Sequence, residues 1–288
     1  MKPLLLLGAS SLVGHWLPPR LAAAGYTVHA VSRQAQPADH PAPHWHQADL
    51  LASDHALSEL LAAHDLNTSA LTVITLFPLW HLPPLLAQLP AGCRLLAFGS
   101  TSAVGKADSP DAQERALAQR LVDAENALFT AAAQQRIATT LVRPTLIYDG
   151  VRDANISRLA RLLGRCRVLP LVDGAPGGRQ PVHADDLAAA CVQILESPTT
   201  VGHRYDLPGG DTLSYRQMVE RIAQAHGWRV WLPTVPAAPL LLALRLLRRH
   251  PRWRDVSDGM VTRQRQDLVF DAGPAQRDFG YAPGPFRP

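Results

Sequence analysis

Two glycines closing the stretch "GASSLVG", and an arginine in "AVSRQ" at the end of the next apolar run, are the first residues whose types and spacing could do chemistry. Gly8 and Gly14 suit a tight turn that brings backbone N–H groups against a phosphate and lets a helix pack closely on a strand. Ser11 stands where a third glycine would let the backbone approach, although its hydroxyl could itself donate to a phosphate. Gly8, Ser10, Ser11, Leu12, Val13 and Gly14 are therefore candidates for holding a dinucleotide. At the end of the second apolar run an Asp or Glu would accept from the ribose 2′-hydroxyl of NAD, whereas an Arg accommodates the 2′-phosphate of NADP. Ser32 and Arg33 stand there, and no acid occurs before Asp39. The expected cofactor is NADP(H), with NAD the less favoured one; an ordinary surface arginine is the competing explanation of Arg33.

Such a turn needs a strand before it and a helix after it. The spacing predicts a strand at Pro3–Leu7, the turn at Gly8–Gly14, a helix at His15–Gly25 and a second strand at Tyr26–Ser32. Lys2 and the leucine run imitate an export signal, but that run stops at Gly8, short of an export core. A cytoplasmic protein is expected. Further short apolar runs at Leu71–Phe77, Cys93–Ser100 and Ala138–Tyr148 read as parallel strands buried on both faces. A long helix lies between the last two, with Ser109 as N-cap, Pro110 at its first position and Asp111 at its positive end. The alternation predicts an α/β fold, a doubly wound parallel (Rossmann) sheet with a smaller mixed C-terminal lobe. The expected boundaries are 1–150 for the nucleotide-binding domain, completed by about 181–200, with 151–180 and 201–288 forming a substrate-binding lobe.

Composition narrows the classes. The 288 residues allow a large core, and the 47% hydrophobic and 18% charged fractions are those of a globular protein. No apolar run approaches the 18 or so residues that span a bilayer. Three cysteines without a CxxC argue against a disulfide framework or a metal site. "HPAPHWH" (His40–His46) is expected to be a loop, not a metal constellation. The net charge is +4, and apart from Lys2 and Lys106 every basic residue other than histidine is arginine. These arginines are scattered, which argues against nucleic acid as a partner. Leu240–Arg254 could touch a membrane surface peripherally, though packing of its leucines on the protein is preferred. A homodimer is left open.

The motifs together resemble the extended short-chain dehydrogenase/reductases, the nucleotide-sugar epimerases, dehydratases and reductases. "GASSLVG" is similar to that family's GATGFIG turn, and "QADL" to its GDL. The latter would place Asp49 at the adenine amino group with Leu50 beside it, and Leu76 would likewise border the cofactor. "FGSTSAVG" is similar to the strand end that carries the catalytic hydroxyl, which implies that role for Thr101, with Ser100 and Ser102 as neighbours. "LVRPTLIY", "GGRQPVHADDLAAA" and "DLVFDAGPAQRDFGYAP" resemble further family segments in the same order. The resemblance implies that Arg179 grips a sugar-nucleotide diphosphate, a task suited to bidentate geometry. It places Asn155 and Arg263 or Arg265 at other substrate positions, and has His183 and Asp186 fix the chain crossing.

The departure lies in the family's Tyr-x-x-x-Lys pair. Its i,i+4 spacing puts a proton-transferring tyrosine and its lysine on one helix face. The corresponding residues are Leu117 and Leu121, part of an apolar stripe with Ala124 and Leu128, and the helix holds neither tyrosine nor lysine. Three readings stay open. One is an enzyme that recruits another acid, with Tyr148 as the tyrosine candidate and Lys106 as the missing positive charge. Another is a silent NADP-binding regulatory or structural protein. The third is an enzyme whose substrate supplies its own acidity. The expected function is an NADP(H)-dependent oxidoreductase or epimerase acting on a nucleotide-linked sugar or similar keto compound.

Overall fold

The computed structural model describes residues 2–238 and 263–288. Leu4, Leu5, Leu6 and Leu7 have no exposed surface. They form β1 (Lys2–Leu7), whose side chains alternate between the two faces of a sheet covered on both. The chain then builds α1 (Leu12–Ala23), β2 (Tyr26–Ser32), β3 (His44–Gln47), α2 (Ala56–Ala63), β4 (Thr72–Thr75), β5 (Arg94–Phe98), α3 (Ser102–Gly105), α4 (Ala112–Gln134) and β6 (Ala138–Pro144). It continues through β7 (Ile147–Tyr148), α5 (Ile156–Cys166), β8 (Leu171–Val172), β9 (Gly178–Arg179) and β10 (Val182–His183). Next come α6 (Ala184–Glu196), β11 (Arg204–Leu207), β12 (Leu213–Ser214), α7 (Tyr215–Ala225), β13 (Thr234–Val235) and α8 (Gly273–Phe279).

Two compact units result. The first comprises 1–145, 184–207 and 271–282. Its seven strands run in the order β11-β6-β5-β4-β1-β2-β3, all parallel. This is a doubly wound order with the chain reversing direction between β1 and β4. On one face, Leu5 and Leu7 pack with Leu57 and Leu61 of α2 and Leu128 and Ala132 of α4, while α1 and α6 pack on each other. The second unit comprises 146–183, 208–270 and 283–288. Ile156 and Leu163 of α5 meet Met218, Val219 and Ile222 of α7 in its core. Three short pairs, β10–β7, β12–β9 and β13–β8, complete it.

Several boundaries differ from the sequence expectation. The division falls after Thr145, not at 150, because the run 138–148 is two strands belonging to different units. Residues 201–207 and 271–282 join the first unit, since β11 pairs with β6 and the Tyr205 hydroxyl donates to Asp278 at 2.6 Å. The long helix is capped by Asp111, whose carboxylate accepts from the Gln113 amide. Ser109 instead donates to Glu114. His44–Gln47, expected as loop, is the edge strand of the sheet. Leu240–Arg254 lies outside the described residues. No described helix is long and apolar enough to cross a membrane.

Candidate functional site

The glycine turn joins β1 to α1. Gly8 has φ +82°, and a side chain there would press on the Leu76 and Phe77 backbone at 3.2 Å. Gly14 is tighter, because a Cβ would lie 2.3 Å from the Ala9 carbonyl oxygen. Ser11 caps α1 by accepting from the Gly14 amide at 3.2 Å, which leaves the Leu12 and Val13 amides directed beyond the helix start. The third-glycine position is therefore a helix cap. His40 supports the turn from outside, its Nε2 donating to the Ala9 carbonyl while its Nδ1 accepts from Ala42. Pro18 lacks the N–H that would serve the Gly14 carbonyl. Burial holds His40 below the usual imidazole range.

Above the turn lies a cavity of about 310 Å³, lined within the first unit by Gly8, Ser10, Ser11, Ser32, Arg33, Asp49, Leu50 and Leu76. The structure thus brings these sequence candidates together. Its lip is tied by hydrogen bonds: Ser32 Oγ donates to Ser10 Oγ at 2.9 Å and accepts from the Gln34 amide. Arg33 is exposed, and its carbonyl accepts from Gln47 Nε2 at 3.2 Å. Asp49 is exposed, accepting from the Leu51 amide in a short turn. Gln34, Phe77, Pro78 and His81 also line the cavity, and sequence reasoning missed them. Nothing in their local spacing marks them; the strand ends deliver them.

The hydroxyl cluster sits at the carboxyl end of β5. Thr101 is buried, and its hydroxyl donates to the Pro144 carbonyl at 3.1 Å. Ser100 Oγ accepts from the Ser102 amide, and both serines are half-buried. Lys106 closes α3 with its ammonium 3.8 Å from Glu114, the buried carboxylate in the first turn of α4. Along α4, Leu121, Ala124 and Leu128 are buried as expected, whereas Leu117 is only half-buried. That face also carries a residue the sequence stripe omitted. Glu125, 1% exposed, makes a two-pronged pair with Arg143 of β6. The bond to Glu125 raises the Arg143 pKa, and burial raises that of Asp206 beside it. An arginine inside an apolar strand and a glutamate on a buried helix face were the signals for this pair.

The remaining candidates belong to the second unit and its own packing. Tyr148, the proposed substitute acid, is 2% exposed, with its ring edge-on to His183 and Phe286 and its hydroxyl accepting from the Arg287 amide at 3.0 Å. The Arg179 guanidinium is buried, donating to the carbonyls of Gly178, Gln266 and Arg263. It lies over the Tyr215 ring, and burial lowers its pKa. Tyr148, the candidate acid at a strand end, and Arg179, which the resemblance implies as a diphosphate grip, are thus both engaged by backbone within the second unit. Asn155 is exposed at the start of α5, Arg263 is half-buried, and Arg265 pairs with Asp173 at 3.2 Å. Among the described residues, no group of three or more His, Cys, Asp or Glu side chains could hold a metal ion.

Residues 4–71 match the model of the NAD dependent epimerase/dehydratase family. No curated protein matches the sequence. Among solved structures, UDP-glucuronic acid 4-epimerase from Bacillus cereus, in complex with UDP-glucuronic acid and NAD, superposes with a TM-score of 0.72 at 15% identity, covering 99% of this chain and 95% of that one. UDP-glucose 4-epimerase from Thermotoga maritima with UDP-glucose gives 0.71 at 12% identity, over 98% and 93% of the two chains. MoeE5 in complex with UDP-glucuronic acid and NAD gives 0.71 at 18%, over 99% and 94%. The chain shares the fold of these UDP-sugar epimerases, and its residues 4–71 are similar to the NAD dependent epimerase/dehydratase family.

Proposed function

We propose that this protein is an NADP(H)-dependent enzyme of the nucleotide-sugar epimerase/dehydratase type with an atypical proton-transfer site. The observation that carries the cofactor is the cavity itself. It sits over a turn where a Cβ at Gly14 cannot fit, against the start of α1, with Ser10, Ser32 and Arg33 at its lip. The Leu12 and Val13 amides would hold the pyrophosphate, and Arg33 with the two hydroxyls would hold a 2′-phosphate. When bound, the nicotinamide supplies hydride transfer. The named neighbours bind NAD and UDP-sugars, which supports a nucleotide-linked sugar as substrate.

The proton-handling residues must come from the β5 end. Thr101 spends its hydroxyl proton on Pro144, so Ser100 and Ser102 are assigned to bind and polarise a substrate oxygen, with Lys106, paired to Glu114, as the nearby positive charge in sequence. A second reading, a protein that binds NADP without turning it over, is favoured by the absence of tyrosine and lysine from α4 and by the burial of Tyr148. Fluorescence titration with NADPH and NADH, followed by NADPH oxidation with 4-keto nucleotide sugars, tests both. Tighter NADPH binding with turnover is expected. Binding without turnover selects the silent reading, and equal affinity for the two cofactors removes the case for NADP.

A further inference from the structure

Four histidines meet at the edge of the first unit's sheet, away from the residues assigned above. His29 of β2 is in register with His44 of β3, and Val31 with His46, so His29, His44 and His46 share one sheet face. His64, at the end of α2, turns onto the same cluster. His29 lies stacked 5.0 Å from His44 and 5.3 Å from His46, and His64 lies 4.0 Å from His46. His29 Nδ1 and His46 Nε2 are 3.1 Å apart, so one ring offers a lone pair to the other's N–H. Both cannot be charged while that contact lasts.

The same strand pair forms the cavity wall. Three residues beyond His29 and His44, Ser32 is in register with Gln47, and each strand runs directly into lining residues, Arg33 and Gln34 on one side and Ala48 to Leu51 on the other. The Ala48 amide donates to the Ser32 carbonyl and Trp45 Nε1 to the Gln34 carbonyl. We propose that the His29–His44–His46–His64 cluster is a proton-operated latch on β3, which loosens the strand and the Ala48–Leu51 wall of the nucleotide cavity when its imidazoles charge.

The sign follows from the surroundings. Burial, then His46, His44 and His64, hold His29 down at about 4, and burial with His64 and His44 holds His46 low. No carboxylate is among the groups acting on either ring. The latched strand therefore favours neutral His29 and His46, and an opened strand in which these two titrate near 6.5 takes up protons as pH falls below that value. By that linkage each fully shifted ring moves the opening equilibrium about tenfold toward open between pH 7.5 and 5.5.

The link to nucleotide rests on the proposed function, so the test reads the two separately. Hydrogen exchange at the 44–47 amides, corrected for intrinsic rates, follows the latch; NADPH titration at each pH follows the cavity. Wild type should lose protection of β3 and then NADPH affinity on acidification. His64→Gln, at an exposed position, should flatten both dependences in part, and the His29→Asn/His64→Gln double variant should flatten them further. Protection of β3 that does not change from pH 7.5 to 5 overturns the latch. Acid-dependent opening in a protein that binds no NADPH at any pH upholds the latch and overturns the cofactor assignment.

Discussion

At the β1–β2–β3 side of the sheet, polar groups stop short of using up their capacity: Ser11 caps α1 yet leaves two amides, and Arg33 stands exposed beside a hydroxyl pair. At the β5–β6 side, polar groups satisfy one another. Thr101 is tied to Pro144, Glu125 to Arg143 and Glu114 to Ser109 and Lys106. One region is arranged to receive a charged ligand, and the other is largely closed upon itself. The difference teaches where to look for the proposed function: the proposed nucleotide site needs no addition to this side, while the proposed proton transfer must be found among few remaining groups.

The largest effect should come from the closed side. Replacing Glu125 by Gln takes the two-pronged carboxylate from the half-buried Arg143 and leaves it Asp206 at 3.9 Å, so the cost should approach the about 3–5 kcal/mol of a broken buried pair without exceeding it. Urea unfolding should show that loss, and adding Arg143→Met should recover much of it. Loss of turnover in Glu125→Gln without loss of stability would mean that this side is not merely structural.

On the open side, Gly14→Ala forces a Cβ onto the Ala9 carbonyl and should cost about 1–3 kcal/mol of stability. It should also weaken NADPH about tenfold or more, since the turn must shift away from the phosphate. Titration that finds the affinity unchanged would show that nucleotide does not use this turn. Arg33→Ala is subtler. A charge-assisted contact to a 2′-phosphate contributes about 1.5–3 kcal/mol, and an exposed arginine should fall at the lower end. NADPH should weaken about tenfold while NADH stays constant; parallel losses would deny Arg33 its discriminating role.

The same contrast explains what was legible in the sequence. The turn, β2 and the lip residues follow one another along the chain, so spacing alone located them. Strand Tyr26–Ser32 was placed to the residue. The closed side is assembled from distant segments: Glu125 meets Arg143 across 18 positions, and Arg179 meets carbonyls at 263 and 266. No local pattern announces which arginine will be buried among carbonyls and which will face solvent. His44 and His46 are expected as loop because no carboxylate or helix-spaced partner accompanies them, whereas pairing to β2 makes them strand. Pairing partners outweigh local propensity at a sheet edge.

The smallest effect should fall on Tyr148, where a single oxygen decides whether proton transfer is confined to the end of β5. Its ring is held in the second unit's core by His183 and Phe286, and its hydroxyl accepts from the Arg287 amide. Tyr148→Phe keeps the ring and removes that acceptor, so stability should fall by about 0.5–1.5 kcal/mol, the usual net worth of one such bond. Turnover with a 4-keto nucleotide sugar should stay within about twofold of wild type, since a buried hydroxyl engaged by backbone does not reach a substrate. A general acid contributes about 10²–10⁴-fold. A kcat loss of that size in Tyr148→Phe, with NADPH affinity intact, would return Tyr148 to the candidate proton-transfer residues. Unchanged kcat, with Ser102→Ala carrying the loss instead, places that work at the end of β5.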